Sequence, residues 1–233
     1  MDLFDDRSGT YVAPATGPRR GATAVIVIHE AFGVNDYVRS VADRLAAEGY
    51  LAVAPDLFRR SGVGTCSYTD PACVQKLTAG TTDESVLDDL RATLAYLEGE
   101  GVDAAHTGIV GFCFGGRVAF LADLEFGLGA AVTFYGGGIV RPGFLGGPTL
   151  IERAGSLRGP WLGLFGDQDP SVTVDDVEAL GARLAADAPS VPWEIRRYEN
   201  AGHGFHCDAR DSYVDASARD AWSHALEWFG QYL

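Results

Sequence analysis

Residues 107–116 read Thr107-Gly108-Ile109-Val110-Gly111-Phe112-Cys113-Phe114-Gly115-Gly116, an apolar run that breaks into glycines around a single cysteine. The pattern G-x-C-x-G-G puts a glycine two residues before and two after Cys113, which lets a strand turn sharply into a helix and leaves the central side chain on an exposed elbow. A helix opening near Phe114 also sets that thiol at a helix N-terminus, where the dipole and free N–H groups favour thiolate and oxyanion alike. The competing reading is a core thiol, since cysteine is among the most buried residue types. The glycines have no purpose in such a core, so Cys113 is read as a nucleophile.

Working outward, short β-branched runs alternate with longer amphipathic stretches, the signature of a parallel sheet covered by helices. Strands are expected at 23–29, 50–55, 107–111, 130–135, 160–165 and 193–198, several of them apolar on both faces, as buried parallel strands are. Helices are expected at 36–48, 83–98, 114–124, 174–186 and 212–232; the last carries Trp222, Leu226 and Phe229 at helical spacing. The predicted fold class is α/β, with a mostly parallel central sheet and helices on both faces. Residues 1–233 read as a single domain without repeats or an interdomain linker. Two stretches, 58–82 and 136–150, lack a clean period and are rich in turn residues, so they are expected to be loops or lids over a site.

The chain has 233 residues, 47% hydrophobic and 21% charged, which excludes a disordered, collagen-like or coiled-coil protein. Eighteen Lys and Arg against 32 Asp and Glu give a net charge of −14. That balance leaves no basic surface to neutralise phosphates, so nucleic acid and anionic membrane are excluded as partners and a small molecule is expected. No run reaches the roughly 20 apolar residues that cross a bilayer. The opening Met1-Asp2-Leu3-Phe4-Asp5-Asp6 has acids where a secretory leader has a basic stretch, so a cytoplasmic location is expected. The four cysteines are accordingly expected to be reduced thiols, although Cys66 and Cys73 share one segment and could pair if oxidised. A monomer is expected.

Three further segments bear on the chemistry. Asn200-Ala201-Gly202-His203-Gly204-Phe205 places a histidine on a glycine-flexed loop after a strand. Loops at the carboxyl ends of parallel strands meet in one crevice, which lets Cys113 and His203 converge as nucleophile and base. Phe165-Gly166-Asp167-Gln168-Asp169-Pro170 follows another strand and supplies the acid that orients such a histidine. Asp169 is preferred over Asp167 because it lies deeper in the loop. Nucleophile, acid, histidine is also the chain order of α/β-hydrolases. A metal site built from His203, His206, Cys207 and Asp208 is disfavoured, because four ligands within six residues cannot close a tetrahedron at usual zinc spacings. No metal or organic cofactor is expected. In His29-Glu30-Ala31-Phe32-Gly33, the loop after the first confident strand, Glu30 reads equally as a carboxylate near the thiol, which it would oppose by raising its pKa, and as a solvated or capping group.

Val-Ile-His-Glu-Ala-Phe-Gly-Val-Asn at 27–35, Ala-Pro-Asp-Leu-Phe at 54–58, Gly-Phe-Cys-Phe-Gly-Gly at 111–116, Gly-Asp-Gln-Asp-Pro at 166–170 and Gly-His-Gly-Phe at 202–205 occur in order across nearly the whole chain. In these motifs the sequence resembles dienelactone hydrolases, the carboxymethylenebutenolidases of the α/β-hydrolase superfamily. The resemblance implies a Cys113–His203–Asp169 triad and an acyl-cysteine intermediate. It further implies that Glu30 holds the resting thiol, and that backbone N–H groups of Ala31 and Phe114 form the oxyanion hole. Tyr135, at a strand end, is a candidate substrate-binding wall. Best-known members of that family clamp the substrate carboxylate with two arginines, one of them four residues after the histidine; here that position is Cys207, and no arginine lies between Ser61 and Leu90. Arg59 and Arg60 come too early, which leaves His206 or Lys76 as weak substitutes. The expected activity is cleavage of a carboxylic ester or lactone. The alternatives are a thioester or unrelated small ester as substrate, or a catalytically silent binding protein.

Overall fold

The computed structural model describes residues 3–4, 8–18, 21–143 and 145–233. Its sheet contains β1 (Tyr11–Ala13), β2 (Ala24–Ile28), β3 (Leu51–Ala54), β4 (Thr107–Phe112), β5 (Ala130–Phe134), β6 (Trp161–Gly166) and β7 (Trp193–Tyr198). The strand order is β1-β3-β2-β4-β5-β6-β7. All pairings are parallel except that of β1, which runs antiparallel along β3 with Tyr11 opposite Ala54. The helices are α1 (Asp36–Ala47), α2 (Pro71–Leu77), α3 (Asp83–Gly99), α4 (Phe114–Phe126), α5 (Val174–Asp187) and α6 (Asp215–Tyr232).

Side chains alternate across a strand, so each central strand feeds two cores. From β2, Ala24, Ile26 and Ile28 join Ile109 of β4, Leu90 of α3, Val118 of α4 and Leu180 of α5 on one face. Val25 and Val27 join Val110 and Phe112 of β4, Val41 and Leu45 of α1 and Phe229 of α6 on the other. Burying each such Val, Leu, Ile or Phe is worth roughly 1.5–3 kcal/mol, which explains why β2 is apolar throughout and β4 and β5 carry one threonine each.

The register brings the functional loops together. Ile28 lies opposite Gly111, so the loop 29–33 and the elbow at Cys113 leave the sheet side by side. Gly166 lies opposite Tyr198, and the Gln168 amide donates to the Ala201 carbonyl at 2.9 Å, which fuses the Asp169 loop to the His203 loop.

One strand and one α-helix escape the sequence reading. Three-residue β1 is too short to show alternation. The stretch 58–82 contains α2, opened by Asp70, whose Oδ1 accepts from the Cys73 amide at 2.9 Å, and by Pro71 in the first turn. The Asp-Pro signal was present, but seven residues are too few to establish a helical period. The stretch 136–150 forms no helix or strand among its described residues. No helix among the described residues is long and apolar enough to cross a membrane.

Cys66 and Cys73 are joined in a disulfide, which corrects the expectation of reduced thiols. The acidic opening residues bear on compartment, whereas pairing is decided by proximity: α2 turns Cys73 back onto Cys66, with a Cα–Cα distance of 5.8 Å. Cys113 and Cys207 are free.

Candidate active site

Cys113 sits between β4 and α4 with φ +56° and ψ −113°, outside the regions a side-chain-bearing residue normally occupies. Such a conformation costs on the order of 1–3 kcal/mol and persists only where the surroundings impose it. They do so through the glycines. A Cβ on Gly111 would lie 1.8 Å from the Gly115 carbonyl oxygen, and one on Gly115 would lie 2.3 Å from the Ile28 carbonyl oxygen. The motif is therefore a packing requirement: α4 starts hard against both its own strand and β2.

The Asp169 carboxylate is 3% exposed and fully engaged. Its Oδ1 accepts from the amides of Ser171 and Val172 at 2.7 and 3.2 Å, while its Oδ2 accepts from His203 Nδ1 at 2.7 Å. Asp167 instead binds Arg197 through both oxygens, at 2.7 and 3.0 Å, so the deeper acid is the one that meets the histidine. Burial alone would lower the His203 pKa, but the charge of Cys113 and the hydrogen bonds to Asp169 and Cys113 outweigh it and raise it to about 10. His203 is thus set up as an imidazolium beside sulfur. Cys113, His203, Ala31 and Phe114 all line one cavity of about 1490 Å³.

Glu30 is 2% exposed. Arg210 Nη1 donates to its Oε1 at 2.9 Å, whereas Oε2 is buried without a hydrogen-bond partner. Burial raises the Glu30 pKa, opposed by the positive charges of Arg210 and His203. Of the readings of Glu30 as a carboxylate near the thiol or as a solvated or capping group, the solvated one is excluded by its burial, and Asn35 caps α1 in its place; the partner of Glu30 is the cation Arg210. Arg210 lies 5.7 Å from the Phe32 ring centroid and 5.8 Å from that of Tyr68, held between two aromatic faces. The Tyr68 hydroxyl accepts from Asn35 Nδ2 at 2.9 Å and from Cys207 Sγ at 3.3 Å, which fixes the ring.

The sequence reading does not include Arg210, because the arginine it looks for four residues after the histidine falls on Cys207, which is buried. One signal pointed to it: Arg210 is the only Lys or Arg between Arg197 and Arg219. The substitutes considered in its place do not serve. His206 is buried, with Nδ1 2.6 Å from the Tyr37 hydroxyl, and burial followed by Arg44 lowers its pKa to about 3, so it is neutral. Lys76 is not among the cavity-lining residues. Arg59 and Arg60 bind Asp89 instead.

Tyr135 also differs from expectation. It is fully buried at φ +39°, does not line the cavity, and meets His203 edge-on with ring centroids 5.2 Å apart. It backs the imidazole where a substrate wall was expected. His206 and Cys207 turn to Tyr37 and Tyr68, away from one another's partners, and among the described residues no three His, Cys, Asp or Glu side chains gather as metal ligands.

The remaining cavity wall comes from residues within 68–86, 137–143 and 145–148, with Ser171. Arg117, one turn into α4 after Cys113, joins them. Its Nη1 and Nη2 donate to the two Asp83 carboxylate oxygens at 2.5 and 2.9 Å, Nη2 also donates to the Pro148 carbonyl at 2.8 Å, and Nε donates to the Gly138 carbonyl at 3.2 Å.

A model described as "Dienelactone hydrolase family" matches residues 9–233. A protein named "Putative carboxymethylenebutenolidase" from Salmonella typhimurium is 40% identical over 231 residues, covering 98% of this chain and 84% of that one. Its namesake from Escherichia coli K12 is 40% identical over 210 residues, covering 89% and 76%. Among solved structures, a "Putative Dienelactone Hydrolase" from Klebsiella pneumoniae superposes with a TM-score of 0.84 at 37% identity, covering 96% of this chain and 92% of that one. A "Dienelactone Hydrolase-like Promiscuous Phospotriesterase" from metagenomic libraries gives 0.73 at 26% identity, covering 93% and 88%.

Proposed function

Because the chain belongs to the dienelactone hydrolase family, we propose that it hydrolyses a lactone or carboxylic ester through Cys113, His203 and Asp169 by way of an acyl-cysteine. The observation that carries this reading is the His203 Nδ1–Asp169 Oδ2 bond of 2.7 Å behind an elbow cysteine in the same cavity.

In this reading the Cys113 sulfur attacks the substrate carbonyl carbon, and the carbonyl oxygen becomes an oxyanion that accepts hydrogen bonds from the Ala31 and Phe114 amides. His203, charged at neutral pH, gives its Nε2 proton to the departing alkoxide as the tetrahedral adduct collapses to the acyl-cysteine. With a lactone the alcohol stays tethered to the acyl group. Neutral His203 then takes a proton from water, whose oxygen attacks the thioester, and Cys113 leaves as thiolate beside the re-formed imidazolium. Asp169, locked by two backbone amides, keeps Nδ1 protonated and Nε2 aimed at sulfur.

Glu30 and Arg210 form the substrate-sensing part of the site. A carboxylate on the substrate competes with Glu30 for the guanidinium. A single accessible arginine suits one carboxylate, so anionic and neutral esters both fit, the anionic ones with an added ion pair.

Hydrolysis of dienelactone, neutral lactones and p-nitrophenyl acetate by the wild type and Cys113→Ala tests the proposal. Turnover is expected in the wild type, with loss of at least 99% in Cys113→Ala and on treatment with iodoacetamide. Undiminished turnover by the alanine variant overturns the thiol mechanism, and no turnover of any ester by the wild type overturns the hydrolase reading.

A further inference from the structure

A butenolide-sized substrate fills a small part of this cavity. Its volume of about 1490 Å³ exceeds even the roughly 300–1,000 Å³ of pockets that bury a drug-sized ligand. The reactive groups account for one side of it, namely Cys113, His203, Arg210 and the 31–32 loop. The other side is built by residues with no part in the chemistry: Val74 and Gln75 of α2, Ala79, Val86 of α3, and Leu145 with its neighbouring glycines.

That second wall is held in place by two fastenings. The Cys66–Cys73 disulfide ties α2 to a segment whose Cys66 amide donates to the Phe32 carbonyl at 3.1 Å, next to the reactive side. Arg117 ties the start of α3 to the 138–148 loop. A wall fixed at both ends is preorganised, so a ligand lying on it does not have to order it first.

The chemistry of the wall selects against negative charge. The guanidinium of Arg117 is occupied by both oxygens of Asp83 and two backbone carbonyls. The buried Thr78 hydroxyl donates to the Val74 carbonyl at 2.9 Å and offers its hydrogen to no ligand. Glu84 at the rim adds negative charge. What is left facing the cavity is aliphatic surface, glycine backbone and exposed amide or hydroxyl groups.

We propose that this wall receives an extended, uncharged, largely apolar arm of the substrate, so that the ester or lactone cleaved carries a medium-length alkyl or aralkyl group. The proposal rests on the reading of Cys113 as the esterolytic nucleophile and names the class of substrate that site takes.

The test is the ratio of kcat/KM values along p-nitrophenyl acetate, butyrate, hexanoate and octanoate, each below its micelle concentration. Full burial of a methylene is worth about fourfold and burial on one side about twofold, so octanoate is expected to exceed acetate by at least about tenfold. The monosuberate ester, which ends in a carboxylate, is expected to fall about tenfold below octanoate. In Ala79→Trp and Gln75→Trp, each at an exposed wall position, the octanoate-to-acetate ratio is expected to drop about fivefold. A flat or falling series in the wild type overturns the proposal while leaving the hydrolase reading intact, as does a ratio unchanged in both variants or monosuberate turnover equal to that of octanoate. Absence of Cys113-dependent turnover of every ester overturns the hydrolase reading, and this proposal with it.

Discussion

Replacing Arg210 with methionine isolates the energetics of the buried carboxylate. Methionine keeps an unbranched apolar stem between Phe32 and Tyr68 but deletes the donor 2.9 Å from Glu30 Oε1. Since Oε2 already has no partner, Arg210→Met leaves a 2%-exposed carboxylate with neither oxygen paired to a cation. Breaking a buried ion pair on one side costs about 3–5 kcal/mol. Because the Arg210 side chain is 22% exposed, the low end, about 3 kcal/mol, is the expectation at pH 8. Protonation of Glu30 provides the escape. Its folded pKa is already raised by burial, and loss of Arg210 raises it further. A carboxyl with a raised folded pKa contributes stability that is complete below its unfolded value and is lost as pH rises through the folded one, at up to about 1.4 kcal/mol per pH unit. The gap between wild type and Arg210→Met is therefore expected to open upward, from about 1 kcal/mol at pH 5.5 to about 3 kcal/mol at pH 8. Urea unfolding at the two pH values measures it, and Glu30→Gln in the Arg210→Met background is expected to recover most of the loss at pH 8. A pH-independent gap, or no recovery from Glu30→Gln, refutes the assignment of that cost to an uncompensated buried carboxylate.

Three further outcomes are expected. Asp169→Asn removes one of the interactions that hold the His203 pKa near 10 and frees the ring to take the wrong tautomer, so kcat/KM should fall about 100-fold, with the alkaline limb of the pH–rate profile moving to lower pH. An unmoved limb would show that Asp169 does not control the titration. Cys73→Ser opens the loop closed between residues 66 and 73, which chain entropy values at about 2.5 kcal/mol; a Tm lower by about 5–10 °C, matched by reducing the wild type, is expected in calorimetry. Asp123 is buried with its pKa raised from 3.8 to about 7 by burial, against hydrogen bonds from Gly159 and Arg158, so its contribution is complete below pH 3.8 and lost as pH rises to 7. Asp123→Asn, which stays neutral, should gain stability over wild type progressively between pH 4 and 7 and level off above, as read by denaturant midpoints; a gain independent of pH would point to packing instead.

The chemistry-bearing positions were legible because each is forced by a local rule. Gly111 and Gly115 mark the elbow since any side chain there meets backbone within 2.3 Å, and Asp169 and His203 follow strands in the order the sheet requires. What stayed hidden depends on the third dimension. Three-residue β1 and seven-residue α2 are too short for a period to form. For Cys66 and Cys73 the shared segment made pairing possible, and it is the turn of α2 closing the pair that no spacing encodes. Arg210 reaches Glu30 across 180 residues and lies against the rings of Phe32 and Tyr68, which are likewise remote from it in sequence. Tyr135 was assigned a wall because it ends a strand, but a positive φ turns it inward behind His203.

Arg117 has a consequence for how such a protein can diverge. The two inserts that shape the substrate wall lie in different connections, one between β3 and α3 and the other between β5 and β6, and each would otherwise be free to drift alone. Both end on the same guanidinium, 7% exposed. A change in either insert that withdraws Asp83 or the Pro148 carbonyl leaves a buried cation short of acceptors, and the penalty falls on α4, the helix that carries the elbow. New substrate ranges are thus expected to arise through paired changes in both inserts, with the arginine acting as the constraint that makes them coevolve.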